Sequence, residues 1–138
     1  MKRITAYVLA LVLTCFCVSS VAGAYYADVP GSSALAGEVE KAVRYGLMNG
    51  YSQAQFGYSD TMTRAQFLVV LTRMLGWQTP STEEADADIT PAMALPEELS
   101  SQYRYAIACA AAHDVIEKTE PFRPNSPATR AEMAELLV

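Results

Sequence analysis

Thr63-Arg64-Ala65-Gln66-Phe67 returns 66 residues later as Thr129-Arg130-Ala131-Glu132-Met133, and Phe56 and Phe122 precede the two copies at the same offset. A motif written twice means one supersecondary unit used twice, which sets the fold class before any single residue does. The first copy opens a helix that runs to about Leu75, with Gly76 as its stop. Phe67, Leu68, Val69, Val70, Leu71, Met74 and Leu75 make that helix apolar almost all round, so it needs neighbours on more than one side. Before it, Leu35, Val39, Ala42, Val43 and Gly46 follow helical spacing as one buried stripe, with Glu38, Glu40, Lys41 and Arg44 on the other faces. Ser32 or Ser33 is placed to cap this first helix, and Gly46 to end it with positive φ. A loop, Asn49-Gly50-Tyr51-Ser52 and then Phe56 and Tyr58, joins the two helices.

The same order repeats further on. Pro96-Glu97-Glu98 suits the first turn of a helix, and Leu99, Tyr103, Ala106, Ile107 and Ala110 form its stripe. At an offset of 68, Val39 answers to Ile107, Gly46 to Asp114 and Leu47 to Val115; Asp28-Val29 answers to Asp88-Ile89 at 60. The insertions fall between helices, where a true repeat tolerates them. Val138 corresponds to Thr72, so the last turn of the first unit has no counterpart here: either the last helix is short or the reading frame is incomplete. The expected organisation is an all-α pair of helix–loop–helix units, 25–77 and 89–138, joined by a linker over 78–88. Glu83, Glu84, Asp86 and Asp88 make the linker acidic, without the spacing or turn glycine of an EF-hand loop.

Residues 1–24 stand apart. Lys2 and Arg3 precede an apolar run from Ile4 to Val18, and Ala22-Gly23-Ala24 supplies a small-residue cleavage site: a secretory signal peptide, with cutting expected after Ala24. The other reading is an uncleaved anchor, since the apolar run is nearly long enough to span a bilayer; nothing after Ala24 is. The remaining chain holds eight basic against fifteen acidic residues, a net charge of −7. That argues against nucleic acid, which calls for a basic face. Two of the three cysteines leave with the signal, so Cys109 has no intrachain disulfide partner.

Thr63 with Gln66, and Thr129 with Glu132, satisfy the capping box, in which hydroxyl and N3 side chain each satisfy the other's backbone N–H. The capping box leaves Arg64 and Arg130 unexplained. At the first helical position a cation opposes the macrodipole by a few tenths of a kcal/mol. One reading is a site where the Arg fork and unpaired helix N–H groups hold a carboxylate. The other is an Arg lying along the surface, paired with a neighbouring acid. On the residues alone the two stand even.

Tyr26-Ala27-Asp28-Val29-Pro30, Gly46-Leu47-Met48-Asn49-Gly50, Phe56 and Met62-Thr63-Arg64-Ala65-Gln66-Phe67 together resemble an S-layer homology domain. Ala106-Ile107, Val115-Ile116, Phe122-Arg123-Pro124-Asn125 and Ala128-Thr129-Arg130-Ala131-Glu132 resemble a second, divergent copy. The resemblance implies an exported module that attaches non-covalently to acidic, pyruvylated cell-wall polysaccharide, usually through three copies in a pseudo-threefold bundle with ligand grooves between neighbours. Two copies would make that bundle incomplete. The ligand role of the motif's arginine falls on Arg64 and Arg130. Ala34 and Leu35 stand where the family commonly carries a tryptophan.

Around these arginines the candidate contacts are Thr63, Thr129, Asp28 and Tyr51, the tyrosine as a sugar-stacking ring and Asp28 otherwise as a turn former. Cys109 and His113 stand four apart on one helix, and two ligands do not make a metal site. No phosphate loop, nucleophile elbow or spaced carboxylate pair is present, so no catalysis and no cofactor are expected. The expected function is attachment to a wall glycan at the cell surface. The alternative is an assembly protein whose incomplete bundle pairs with another chain or with itself.

Overall fold

The computed structural model describes residues 26–77 and 87–137. The signal segment and linker residues 78–86 lie outside the described residues. Among the described residues the α-helices are α1 (Ala36–Arg44), α2 (Arg64–Met74), α3 (Ser101–Ala112) and α4 (Arg130–Leu136), with a 3₁₀ turn at Pro91–Met93 before α3. Among the described residues there is no strand, only an isolated antiparallel bridge between Thr63 and Pro127. The fold is all-α, in two helix–loop–helix units.

The repeat extends to the backbone. Gly46 (φ 69°) and its counterpart Asp114 (φ 56°) both end a first helix in the left-handed region. Gly57 (φ 84°) and Arg123 (φ 57°) repeat that conformation in the loops. Both capping boxes form as the spacing requires, on Thr63 with Gln66 and on Thr129 with Glu132.

α2 and α3 form the principal helix–helix contact, across the two units rather than within one. Ala65, Leu68, Val69 and Leu71 on α2 are buried against a run of six buried residues on α3, Ala106 to Ala111. Small residues along α3 allow the close approach, and Leu68, Leu71, Ile107 and Met93 fill the centre. Phe122 and Ile116 from the second loop complete one core shared by both units. The apolar surround of α2 is met on one side only: Met74 and Leu75 remain exposed.

Four expectations are corrected. α1 carries no buried residue; Val39, Ala42 and Val43 are half-buried and Leu35 is 56 % exposed. Its stripe is formed, but among the described residues no other helix packs closely on it. The N-cap of α1 is Leu35, without a side-chain cap; the Ser33 hydroxyl accepts from the Leu35 N–H just ahead of the helix and pairs with the Tyr58 hydroxyl at 2.8 Å. Glu97 and Glu98 lie in a turn, and α3 starts at Ser101, because the 3₁₀ turn and the left-handed Ala94 redirect the chain first. Asp88, read as part of a solvated linker, pairs with Lys118 at 2.9 Å, while the Thr90 hydroxyl donates to the Lys118 carbonyl.

Candidate functional site

Arg64 stands where the two units meet. The second loop lays its carbonyls across the start of α2: Arg64 N–H donates to Ser126 (2.9 Å) and Ala65 N–H to Pro124 (3.0 Å), while Ala128 N–H donates back to Met62 (2.9 Å). The helix N–H groups that the anion reading needs free are thus already paired. The guanidinium forms an ion pair with Glu132 of the second unit and lies over the Phe122 ring, 4.7 Å from its centroid. Its Nε is buried without a partner. Arg130 repeats the position on α4 and is exposed.

The threonines and Asp28 have their polar atoms committed to backbone. Thr63 and Thr129 accept from the N3 N–H of their helices at 3.3 and 3.2 Å. Glu132 accepts in return from the Thr129 N–H and hydroxyl, and these, with Arg64 adding to them, hold its carboxyl below the usual value. Asp28 accepts from the N–H groups of Phe56 (2.8 Å), Gly57 (2.7 Å) and Tyr58 (3.0 Å). Those bonds, Phe56 first and Tyr58 next, depress its pKa against the opposing effect of burial. Asp28 therefore fastens the entry segment of unit one to the turn that precedes α2.

Above this turn lies a groove of about 420 Å³ between the first loop and the two central helices. Tyr51, 58 % exposed, stands in it with Tyr58, Gln66 and Arg73 from unit one and Gln102 and Tyr103 from unit two. Gly50 and Gly57 shape the wall: a Cβ on Gly50 would strike the Tyr26 ring and the Gln55 carbonyl, and one on Gly57 would strike the Tyr51 ring. The Arg73 guanidinium donates to the Leu47 carbonyl at 3.1 Å and has no carboxylate at ion-pair distance among the described residues. Asp60 also lines the groove. Neither Arg64 nor Arg130 does.

Arg73 was not singled out from the sequence, and Gln66 only as a capping residue, although a signal for both existed. Gln66, Val70 and Arg73 follow i, i+4, i+7 and so share one face of α2, polar at both ends.

The single tryptophan and single histidine, Trp77 and His113, stack at 4.0 Å with an 11° tilt, tying the end of unit one to the end of α3. Cys109 is buried, and burial raises its thiol pKa. Among the described residues no three metal-ligating side chains gather, and no helix is long and apolar enough to cross a membrane.

A family model described as S-layer homology domain matches residues 25–68 and 99–134, which is more than half of the chain. No curated protein and no solved structure matches the chain. The two matched segments fall one in each structural unit and each reaches into the capped helix on the repeated Thr-Arg-Ala motif, and the chain belongs to the S-layer homology domain family.

Proposed function

We propose that this protein, once exported, binds an acidic, pyruvylated wall polysaccharide non-covalently, with the groove beside Tyr51 and Arg73 as its seat. Membership of the family makes the chain a cell-surface, wall-anchoring module in general terms; the glycan and the seat are our reading. The observation that carries it is Arg73: a cation without a carboxylate partner among the described residues, in a groove lined by three tyrosines. The volume lies in the range of small-ligand sites, ~300–1,000 Å³. A ketal carboxylate on Arg73 gains a charge-assisted fork contact, and the apolar face of a sugar lies against the Tyr51 ring. Gln66, Gln102 and Asn49 line the same groove and supply amides for hydroxyl groups. The groove draws on both units, as the family's ligand grooves do. Arg64 enters this reading only if a ligand carboxylate takes the place of Glu132.

Purified mature chain should sediment with cell-wall sacculi and stay in solution once the non-peptidoglycan polysaccharide is stripped. Arg73→Ala should weaken retention by roughly 10- to 150-fold, the equivalent of about 1.5–3 kcal/mol for a hydrogen bond to a charged group, with unchanged helix content. Undiminished sedimentation of Arg73→Ala would move the seat elsewhere. Binding to stripped sacculi would overturn the polysaccharide as ligand.

A further inference from the structure

α2 ends in a way that turns the next aromatic back along its own edge. Gly76, at φ 64°, takes the left-handed position. Its N–H donates to the Arg73 carbonyl (3.2 Å) and the Trp77 N–H to the Thr72 carbonyl (3.0 Å), the paired bonds of a Schellman close. Trp77 therefore lies on the same side as Val69 and Arg73. Across from them α3 presents Ser101, Tyr105 and Cys109, spaced four apart and so in line along one face. The two edges enclose a second cavity of about 320 Å³. Its floor is apolar: Val69, Ala106 and Cys109 are buried, and the Thr72 hydroxyl is engaged by the Val69 carbonyl at 2.9 Å. Val69, Arg73 and Gln102 line both this cavity and the Tyr51 groove, so the two are neighbours with a common wall. His113 stacks on one face of the indole and is not part of the lining, which leaves the cavity another side of the ring.

We infer that this second cavity is a sugar subsite, which holds the unit of the polysaccharide next to the one seated beside Tyr51. The inference rests on the glycan reading of that groove and extends it to a ligand of at least two sugars. The chemistry of the lining fits a neutral sugar rather than a second acid. Trp77 and Tyr105 offer flat apolar surface for the C–H face of a pyranose ring. Ser101 and Gln102 bring a hydroxyl and an amide to the rim, where sugar hydroxyls need partners. Arg73 is the only charged side chain among the described lining residues, and it already serves the first groove. The volume sits at the lower end of the ~300–1,000 Å³ range of small-ligand sites, which suits one ring. A glycan chain thus passes Arg73 rather than ending at it: an acidic sugar lies on the Tyr51 side and a neutral neighbour on the Trp77 side.

Trp77 is the chain's single tryptophan, so its emission reports on this cavity. The test titrates the mature chain with purified wall polysaccharide cut to fragments of one, two and three sugars, ketals intact. Two-sugar fragments should bind about tenfold more tightly than one-sugar fragments, the order of one added aromatic contact, and should quench Trp77 where one-sugar fragments do not. Replacing Trp77 would also break its stack on His113, so Ser101, exposed in the first turn of α3, is changed instead. Ser101→Tyr, which sets a ring in the cavity, should bring two-sugar binding down to the one-sugar level with the parent's circular dichroism. Arg73→Ala should weaken fragments of every length. Equal affinity for one and two sugars, or two-sugar binding that survives Ser101→Tyr, overturns the subsite while the Tyr51 groove stands. One-sugar binding undiminished by Arg73→Ala overturns the groove, and the subsite with it.

Discussion

At the scale of the residue, Arg64 does more for the fold than its place in a capping motif suggests. Its position at the positive end of α2 should make Arg64→Ala neutral or slightly favourable. The tertiary structure reverses that sign, because the fork pairs with Glu132 and lies over Phe122. Arg64→Ala should therefore destabilise the protein by about 1 kcal/mol, read from urea midpoints at constant slope. Glu132→Gln separates the two roles of the arginine. The amide keeps the capping box but releases the guanidinium, so if Arg64 also meets a ligand carboxylate, retention on sacculi should rise. Unchanged retention would confine Arg64 to the junction. Asp28 sets a pH dependence whose direction follows from its lowered pKa. A depressed carboxyl adds stability that is fully present above its unfolded value, about 3.9, and is lost as pH falls through the lower folded value. Asp28→Asn should therefore lose stability at neutral pH and converge with the parent in acid. Parallel stability curves between neutrality and strong acid would remove Asp28 from this role.

At the scale of the element, the glycines near the two ends of α1 should behave oppositely. Gly37 lies inside the helix with open space where an alanine methyl would stand, so Gly37→Ala should stabilise by up to about 1 kcal/mol. Gly46 also has open space, but at φ 69° an alanine costs about 1–2 kcal/mol. Thermal midpoints of the two variants should fall on either side of the parent. Element identity was legible because caps and periodicity are local: the capping boxes at Thr63 and Thr129 mark both second helices to the residue. The start of α3 was not, since Pro96-Glu97-Glu98 has the composition of a first turn and only the preceding Ala94, at φ 49°, turns the chain away from it. The groove was half legible: Tyr51 was named from its loop, whereas Arg73 acquires meaning only when Leu47 and Tyr103 are brought beside it.

At the scale of the whole molecule, the two units share one core, in which α2 side chains from the first pack on α3 and Phe122 from the second. Unfolding should then be a single cooperative transition, with Trp77 fluorescence and far-ultraviolet circular dichroism tracing the same curve. Because Trp77 stacks on His113 across the junction, an earlier fluorescence transition would mean that the units separate before they melt. The sequence by itself determined that there are two copies of one helical unit, where their second helices begin, and which family they belong to. Those properties are written in contiguous residues and in self-similarity. Only the tertiary structure decided that α2 packs on the first helix of the next unit, that Arg64 is bound to Glu132, and that Trp77 stacks on His113. Each depends on residues far apart in the chain, whose approach is set by the angle between units rather than by any local pattern.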